Sequence, residues 1–109
     1  MKHDFTEWTQ SFKRSQAKVR FFRQLFETLE KRQFTLQNPD AIPGGYCLEF
    51  VNDAAYVMVD RYTMAPVAGE TEGVSLYHDT RSWEAVFSAL TPFTIVSDAI
   101  EFLTADEDA

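Results

Sequence analysis

The chain has 109 residues, of which 45% are hydrophobic, 25% charged and 15% aromatic, and its net charge is −7. This composition is typical of one folded domain and excludes a disordered chain. The longest apolar run, Ala54 to Val59, is too short to cross a membrane, and Cys47 is the only cysteine, so no internal disulfide forms. The first residues also lack the charged-then-apolar pattern of a secretion signal, and we therefore expect a cytoplasmic protein.

Residues 4–33 carry apolar side chains at the three- and four-residue spacing that places them on one stripe of a helix. No proline or glycine interrupts this segment, and we predict one long amphipathic helix over it. Ser15 and Gln33 are the two positions that break the pattern. A bend at Ser11 or Ser15 that divides the helix in two stays open as an alternative. The stripe consists of Phe5, Trp8, Phe12, Val19, Phe22, Phe26 and Leu29.

Phe21 does not belong to this stripe, because at 100° per residue it points roughly 140° away from the centre of the stripe. Leu25 widens the same side of the helix, and Arg14 and Lys18 border it. One explanation is an ordinary exposed phenylalanine, or one that a loop covers. The other is a contact with a partner protein or a second copy, in which Phe21, Leu25, Arg14 and Lys18 are the interface candidates.

Charge is distributed unevenly along the chain, with a net +4 in residues 1–33 and −11 in residues 34–109. Within one molecule, this division fits a basic helix face laid over an acidic body. Between molecules, it fits the basic face of one chain meeting the acidic body of another. Nucleic-acid binding is disfavoured, since the basic residues are spread around the helix and the whole molecule repels phosphate.

The middle of the chain predicts an antiparallel sheet over residues 46–78. Alternating apolar residues favour strands over 46–52 and 55–63, and the turn-like Asn52-Asp53 between them indicates a hairpin. A third strand is predicted over 74–78, after a longer connection that begins at Met64.

The end of the chain predicts two short helices within residues 80–104. The first has apolar residues at helical spacing between Trp83 and Leu90, and the second begins at Thr91-Pro92, a capping residue followed by proline. A fourth strand from Phe93 to Ser97 is the alternative to the second helix. Residues 105–109 read as a frayed acidic tail.

We therefore predict one α+β domain over residues 1–109, with a long N-terminal helix, three antiparallel strands and two short C-terminal helices packed on one face of the sheet. The other face would be too apolar for a fully wet surface and too polar for a core. It could form a partner interface or the wall of a pocket. The residues that could line such a pocket are Tyr56, Met58, Tyr62, Glu49 and Asp60.

Motifs for catalysis and cofactor binding are absent from the sequence. Two histidines and one cysteine do not form a cluster of metal ligands, and Gly44-Gly45 lacks the spacing of a phosphate-binding loop. We accordingly expect no catalytic, metal-binding or cofactor-binding residues, and not an enzyme.

The sequence leaves three functional hypotheses. The first is a small cytoplasmic protein-interaction module, an inhibitor, adaptor or chaperone-like protein that forms a homodimer, because the chain is rich in aromatic residues and divided in charge. The second is a small-molecule-binding domain or weak enzyme with a pocket between the sheet and the helices. The third is an acidic mimic of nucleic acid. The expected partner is another protein, a second copy of the chain, or both, and not a membrane.

Overall fold

The computed structural model describes residues 4–10, 12, 14–41, 47–60, 73–80 and 84–105. Within them the protein is a mixed α+β fold, as predicted, but it has five strands where we predicted three. A short 3-10 helix, Pro39–Ala41, separates the first two strands. The elements are α1 (Thr6–Gln10), α2 (Gln16–Lys31), β1 (Thr35–Leu36), β2 (Cys47–Asn52), β3 (Ala55–Asp60), β4 (Gly73–His78), β5 (Glu84–Ser88) and α3 (Phe93–Thr104).

The N-terminal segment forms two helices and not one, so the prediction of a continuous helix over residues 4–33 is wrong, and the alternative of a division in two at Ser11 or Ser15 is confirmed. Ser15 has extended backbone angles, φ −126° and ψ 101°, and its hydroxyl accepts a hydrogen bond from the backbone N–H of Lys18 at 3.3 Å. This is an N-cap, in which the side chain satisfies a donor that the first turn of α2 leaves without a partner.

Gln33, the other position that breaks the apolar pattern, lies directly after the end of α2 and has a positive φ of 63°. The N–H of Gln33 donates to the carbonyl of Glu30 at 3.0 Å, and the N–H of Phe34 donates to the carbonyl of Leu29 at 2.9 Å. These two bonds form a Schellman motif, which ends a helix by using its last carbonyls as acceptors.

The five strands form one antiparallel sheet in the order β1-β2-β3-β4-β5. The predicted hairpin is confirmed, since β2 pairs with β3 from Cys47↔Asp60 to Asn52↔Ala55, and Asp53 in the turn has a positive φ of 54°. The third predicted strand is β4. We did not predict β1, because two residues are too few for an alternating pattern to be detected.

The helices pack on one face of the sheet, as predicted. The rings of Phe5 and Phe26 lie 5.9 and 6.1 Å from the ring of Phe50 on β2, while α3 contacts β4 and the side of α2. Trp8 is fully buried and holds α1 on α2, with its ring 5.0 Å from that of Phe22. The strand residues of the core are Leu36, Leu48, Phe50, Ala55, Val57, Val59, Val74 and Leu76.

Residues Glu84 to Ser88 form a strand, and the prediction of a helix there is wrong. β5 pairs with β4, so that Ala85 lies beside Leu76 and Phe87 beside Val74 on the core face. As a helix, these residues would leave the edge of β4 unpaired, and the tertiary gain from pairing with that edge overrides the local spacing. The second predicted C-terminal helix is confirmed as α3, and a strand over Phe93 to Ser97 is excluded. Its predicted start is wrong by one residue, because α3 begins at Phe93 with Pro92 as the N-cap and without a side-chain cap from Thr91.

Several predictions fall outside the described residues. They concern Tyr62 and the end of the second predicted strand, the connection over residues 64–72, and the acidic tail after Ala105. Where the chain is described, it contains no helix of the length and hydrophobicity that crossing a bilayer requires.

Candidate functional site

The interface candidates on α2 are divided between the core and the surface. Phe21 is 3% exposed and Leu25 is fully buried. The ring of Phe21 packs edge-on against Phe93 of α3, so another part of the same chain covers this side of α2. Arg14 is exposed and Lys18 is half-buried. A partner contact on this side stays a prediction, but Phe21 and Leu25 do not offer the apolar anchor on which we based it.

The pocket candidates lie on the sheet face that points away from the helices, which we call the open face. On β3 the buried residues Ala55, Val57 and Val59 face the helices, and Tyr56, Met58 and Asp60 alternate with them. These three side chains therefore do not line a cavity between the sheet and the helices, where the second hypothesis placed its pocket. The open face carries Cys47, Glu49, Val51, Tyr56, Met58, Asp60, Ser75, Tyr77, Glu84, Val86 and Ser88.

Cross-strand pairing brings several of the pocket candidates together on the open face. Glu49 lies directly opposite Met58, and Cys47 opposite Asp60. Tyr56 lies opposite Tyr77, and their rings stack with centroids 4.8 Å apart and planes inclined by 5°. Such a pair stabilises the sheet by packing across strands.

Burial raises the pKa of the Cys47 thiol to about 12, and its hydrogen bond to Asp60 acts in the same direction. Burial also raises the pKa of Asp60, although the hydrogen bond from Cys47 opposes this effect. A thiol reacts as its thiolate, so Cys47 is protonated and unreactive at neutral pH. The pair therefore has the properties of a structural contact and not those of a nucleophile with its base.

A different surface stands out for its hydrophobicity. The exposed large hydrophobic side chains of the described residues all lie between positions 86 and 102. Their exposed fractions are 39% for Val86, 52% for Leu90, 50% for Ile95 and 63% for Phe102. This concentration makes the segment a candidate interaction surface.

Two of these residues share one side of α3. Val96, Ile100 and Leu103 are buried in the core. Ile95 and Phe102 are seven residues apart, or two turns, and at 100° per residue they point roughly 160–180° away from Phe93.

That side of α3 faces the β5 end of the sheet. Phe93 contacts α2 through Phe21, and Glu101 contacts the end of α2 through a 3.7 Å ion pair with Arg32. Since α2 lies over β2 and α3 over β4, the side of α3 away from α2 points toward β5.

The two outer strands of the sheet, β1 and β5, differ in length and in how many backbone groups they leave open to pairing. β1 has only two residues, and beyond it the Asn38 side chain continues the pairing with β2, donating to the carbonyl of Cys47 and accepting from the N–H of Glu49, both at 2.8 Å. β5 is a five-residue outer strand, and no other strand of the described chain pairs with its outer side. An open edge of this length is a template for pairing with another chain.

We name this surface the β5–α3 edge and define it by β5, which includes Val86, together with Ile95 and Phe102 of α3. Sequence reasoning missed it because residues 84–88 were predicted as a helix, which has no open edge. A signal was available in α3, where Ile95, Val96, Ala99, Ile100, Phe102 and Leu103 form an apolar stripe too wide for one buried face.

Two clefts of moderate size are also formed by described residues. One, of about 240 Å³, lies between α1 and α2 and is lined by Arg23 and the carboxylates of Asp4, Glu27 and Glu30. The other, of about 250 Å³, lies between α2 and the turn that leads into α3. Both are below the roughly 300–1,000 Å³ of typical small-molecule sites.

Across the described ranges, no three side chains of His, Cys, Asp or Glu come together to hold a metal ion. No protein-family model, no curated protein and no solved structure matches this chain.

Proposed function

We propose that this chain is a small cytoplasmic protein-interaction module that forms a homodimer through the β5–α3 edge. The observation that carries the proposal is the exposure of three large hydrophobic side chains, Val86, Ile95 and Phe102, beside an outer strand with an open edge. Pairing of two such edges would satisfy backbone groups and would remove apolar area from water in the same step.

A two-fold dimer would pair β5 with the partner's β5 in an antiparallel orientation. If the two-fold axis passes near Val86, each Val86 lies beside its counterpart. Glu84 then lies opposite the partner's Ser88, and the small Ala85 opposite the partner's Phe87. No like charges face each other across the two strands, so this register avoids the repulsion that would weaken the pair.

The helices add a second layer to the same interface. Ile95 and Phe102 point toward the β5 end of the molecule, where the α3 helices of two copies would approach each other beneath the joined sheets. Apolar residues at the centre of an interface with polar residues at its rim are typical of protein–protein contacts, and Asp98 is the exposed acid beside this pair.

The test is the molar mass of the purified chain by light scattering, for the wild type and for three variants. Wild type is expected to approach twice the chain mass as the concentration rises. Ile95→Glu and Phe102→Glu place a charge inside the interface and are expected to give the monomer mass.

Thr94→Glu is the matched control, since it adds the same charge at an exposed position of α3 and is expected to keep the dimer mass. Circular dichroism establishes that each variant is folded. A monomer mass for the folded wild type at every concentration would overturn the proposal, as would a dimer that Phe102→Glu and Ile95→Glu leave intact.

A further inference from the structure

The cleft between α2 and the turn after β5 combines an apolar floor with a cation at its rim. Phe21 and Phe93 meet edge to face and form the floor, while Ala17 and Ala89 are small enough to leave it open. A neighbouring residue, Leu90, is 52% exposed and lines the cleft from the turn. The volume of about 250 Å³ suits one bulky apolar side chain and not a larger ligand.

Arg20 lines the same cleft and is exposed. Among the described residues, no carboxylate forms an ion pair with it. The nearest cations along the chain on the N-terminal side are Arg14 and Lys18, and the segment from Arg14 to Gln24 contains no acid. Arg23 lies in the other cleft, beside Asp4, Glu27 and Glu30. This end of α2 is therefore a local positive surface on a chain with a net charge of −7.

We propose that this cleft binds an acidic peptide segment of a partner protein, in which one bulky apolar side chain is flanked by carboxylates. The apolar side chain would fill the floor between Phe21 and Phe93, and a flanking carboxylate would pair with the guanidinium of Arg20. Charge complementarity with the start of α2 selects an acidic peptide over a basic one.

The acidic C-terminal tail of a second copy is a less suitable occupant. Residues 105–109 supply three carboxylates, but their only apolar side chains are alanines. A methyl group buries less apolar area against Phe93 and Leu90 than a bulky side chain does, so the tail lacks the side chain that the cleft volume suits. The site is separate from Val86, Ile95 and Phe102, and its test does not depend on dimer formation.

Fluorescence anisotropy with three labelled peptides tests the proposal. The first has a central leucine flanked on each side by two aspartates. The second replaces the leucine with glycine, and the third replaces the aspartates with lysines. The first peptide is expected to bind with a dissociation constant in the range of about 10 µM to 1 mM, as weak single-anchor contacts do. The other two are each expected to bind about tenfold more weakly or not at all.

Two charge reversals on α2 locate the site. Arg20→Glu is expected to weaken binding of the first peptide by about tenfold or more. The matched control is Arg23→Glu, which changes the net charge equally on the same helix but lies in the other cleft, and it is expected to change binding by less than about threefold.

Equal losses from the two reversals would indicate nonspecific attraction and would overturn the proposal. So would a glycine peptide that binds as well as the leucine peptide, or no binding of the leucine peptide at millimolar concentration. A peptide of the chain's own last five residues is expected not to compete, and tighter binding by it would overturn the choice of a foreign partner.

Discussion

The ring of Phe21 on α2 meets the ring of Phe93 on α3 edge to face, with centroids 5.8 Å apart and planes at 84°. Phe21 does not belong to the apolar stripe of α2 because that stripe faces the sheet and α1, whereas Phe21 faces α3. α2 therefore buries two of its sides, one against the sheet and α1 and the other against α3. Phe21, which does not fit the apolar stripe in the sequence, lies where the N-terminal helix α2 packs on the C-terminal helix α3.

Replacing Phe21 with alanine should therefore destabilise the folded protein. Loss of a buried phenylalanine typically costs about 3–5 kcal/mol in the free energy of unfolding, and we expect Phe21→Ala to fall in that range. In a double-mutant cycle with Phe93→Ala, the coupling energy should be about 0.5–1.5 kcal/mol, as for other aromatic pairs. Urea unfolding followed by circular dichroism measures both quantities.

A loss of less than about 1 kcal/mol for Phe21→Ala would indicate an exposed side chain and would contradict this packing. The same outcome would restore Phe21 as a candidate for an exposed anchor that inserts into a partner protein.

The cap at Ser15 gives a second prediction. Ser15→Ala removes the hydroxyl that accepts from the N–H of Lys18, and we expect it to lower the free energy of unfolding by about 1 kcal/mol. For a domain of this size, the thermal midpoint would fall by roughly 4–8 °C. Ser15→Asp is the control, because a carboxylate also caps a helix N-terminus, and it should keep the wild-type midpoint. Equal midpoints for Ser15→Ala and wild type would argue for a continuous helix.

Gln33 gives a prediction of the opposite sign. The left-handed conformation costs a residue other than glycine about 1–2 kcal/mol, because its Cβ crowds the backbone. Glycine avoids this strain but loses more conformational entropy on folding, which offsets part of the gain. Gln33→Gly should therefore raise the free energy of unfolding by about 0.5–1 kcal/mol.

The matched control for Gln33→Gly is Gln24→Gly, which introduces the same residue in the exposed middle of α2 and should destabilise by about 1 kcal/mol. Chemical unfolding of both variants provides the comparison. If both changes destabilise the protein, α2 does not end at Lys31.

The chemistry of Cys47 can be tested by the pH dependence of its alkylation. Iodoacetamide reacts with the thiolate, and burial and the hydrogen bond to Asp60 hold the pKa of Cys47 near 12. The rate should thus rise only at strongly alkaline pH, as long as the protein stays folded.

Asp60→Asn removes the charge that opposes ionisation of Cys47 and should lower its pKa. Glu49→Gln removes a weaker charge effect on the same thiol and serves as the control, with a smaller shift of the pKa in the same direction. A wild-type alkylation midpoint equal to that of the urea-unfolded protein would contradict the contact between Cys47 and Asp60.

Much of the fold could be predicted from local patterns. The two residues that break the apolar stripe of the N-terminal segment also mark where α2 begins and ends. Ser15 and Gln33 interrupt the apolar stripe because one caps the start of α2 and the other follows its end. The hairpin of β2 and β3 followed from alternation and a two-residue turn, since both are local properties.

The remaining elements depend on distant parts of the chain. Residues 84–88 satisfy helical and strand spacing alike, and the edge of β4 decides between them. The β5–α3 edge was missed for the same reason, because it exists only after β5 has joined the sheet. Alternation along β2 and β3, a local property, places the pocket candidates Glu49, Tyr56, Met58 and Asp60 together on the face away from the helices, whereas Tyr62 lies outside the described residues.

Backbone hydrogen exchange in β5 as a function of protein concentration tests the proposed dimer most directly. By NMR, over a hundredfold range of concentration, we expect the outward-pointing amides of Glu84–Ser88 to exchange more slowly as the concentration rises. The amides of Thr35–Leu36, on the opposite edge, should be unaffected. Exchange from β5 that is independent of concentration, or slowing confined to β1, would contradict an interface at the β5–α3 edge.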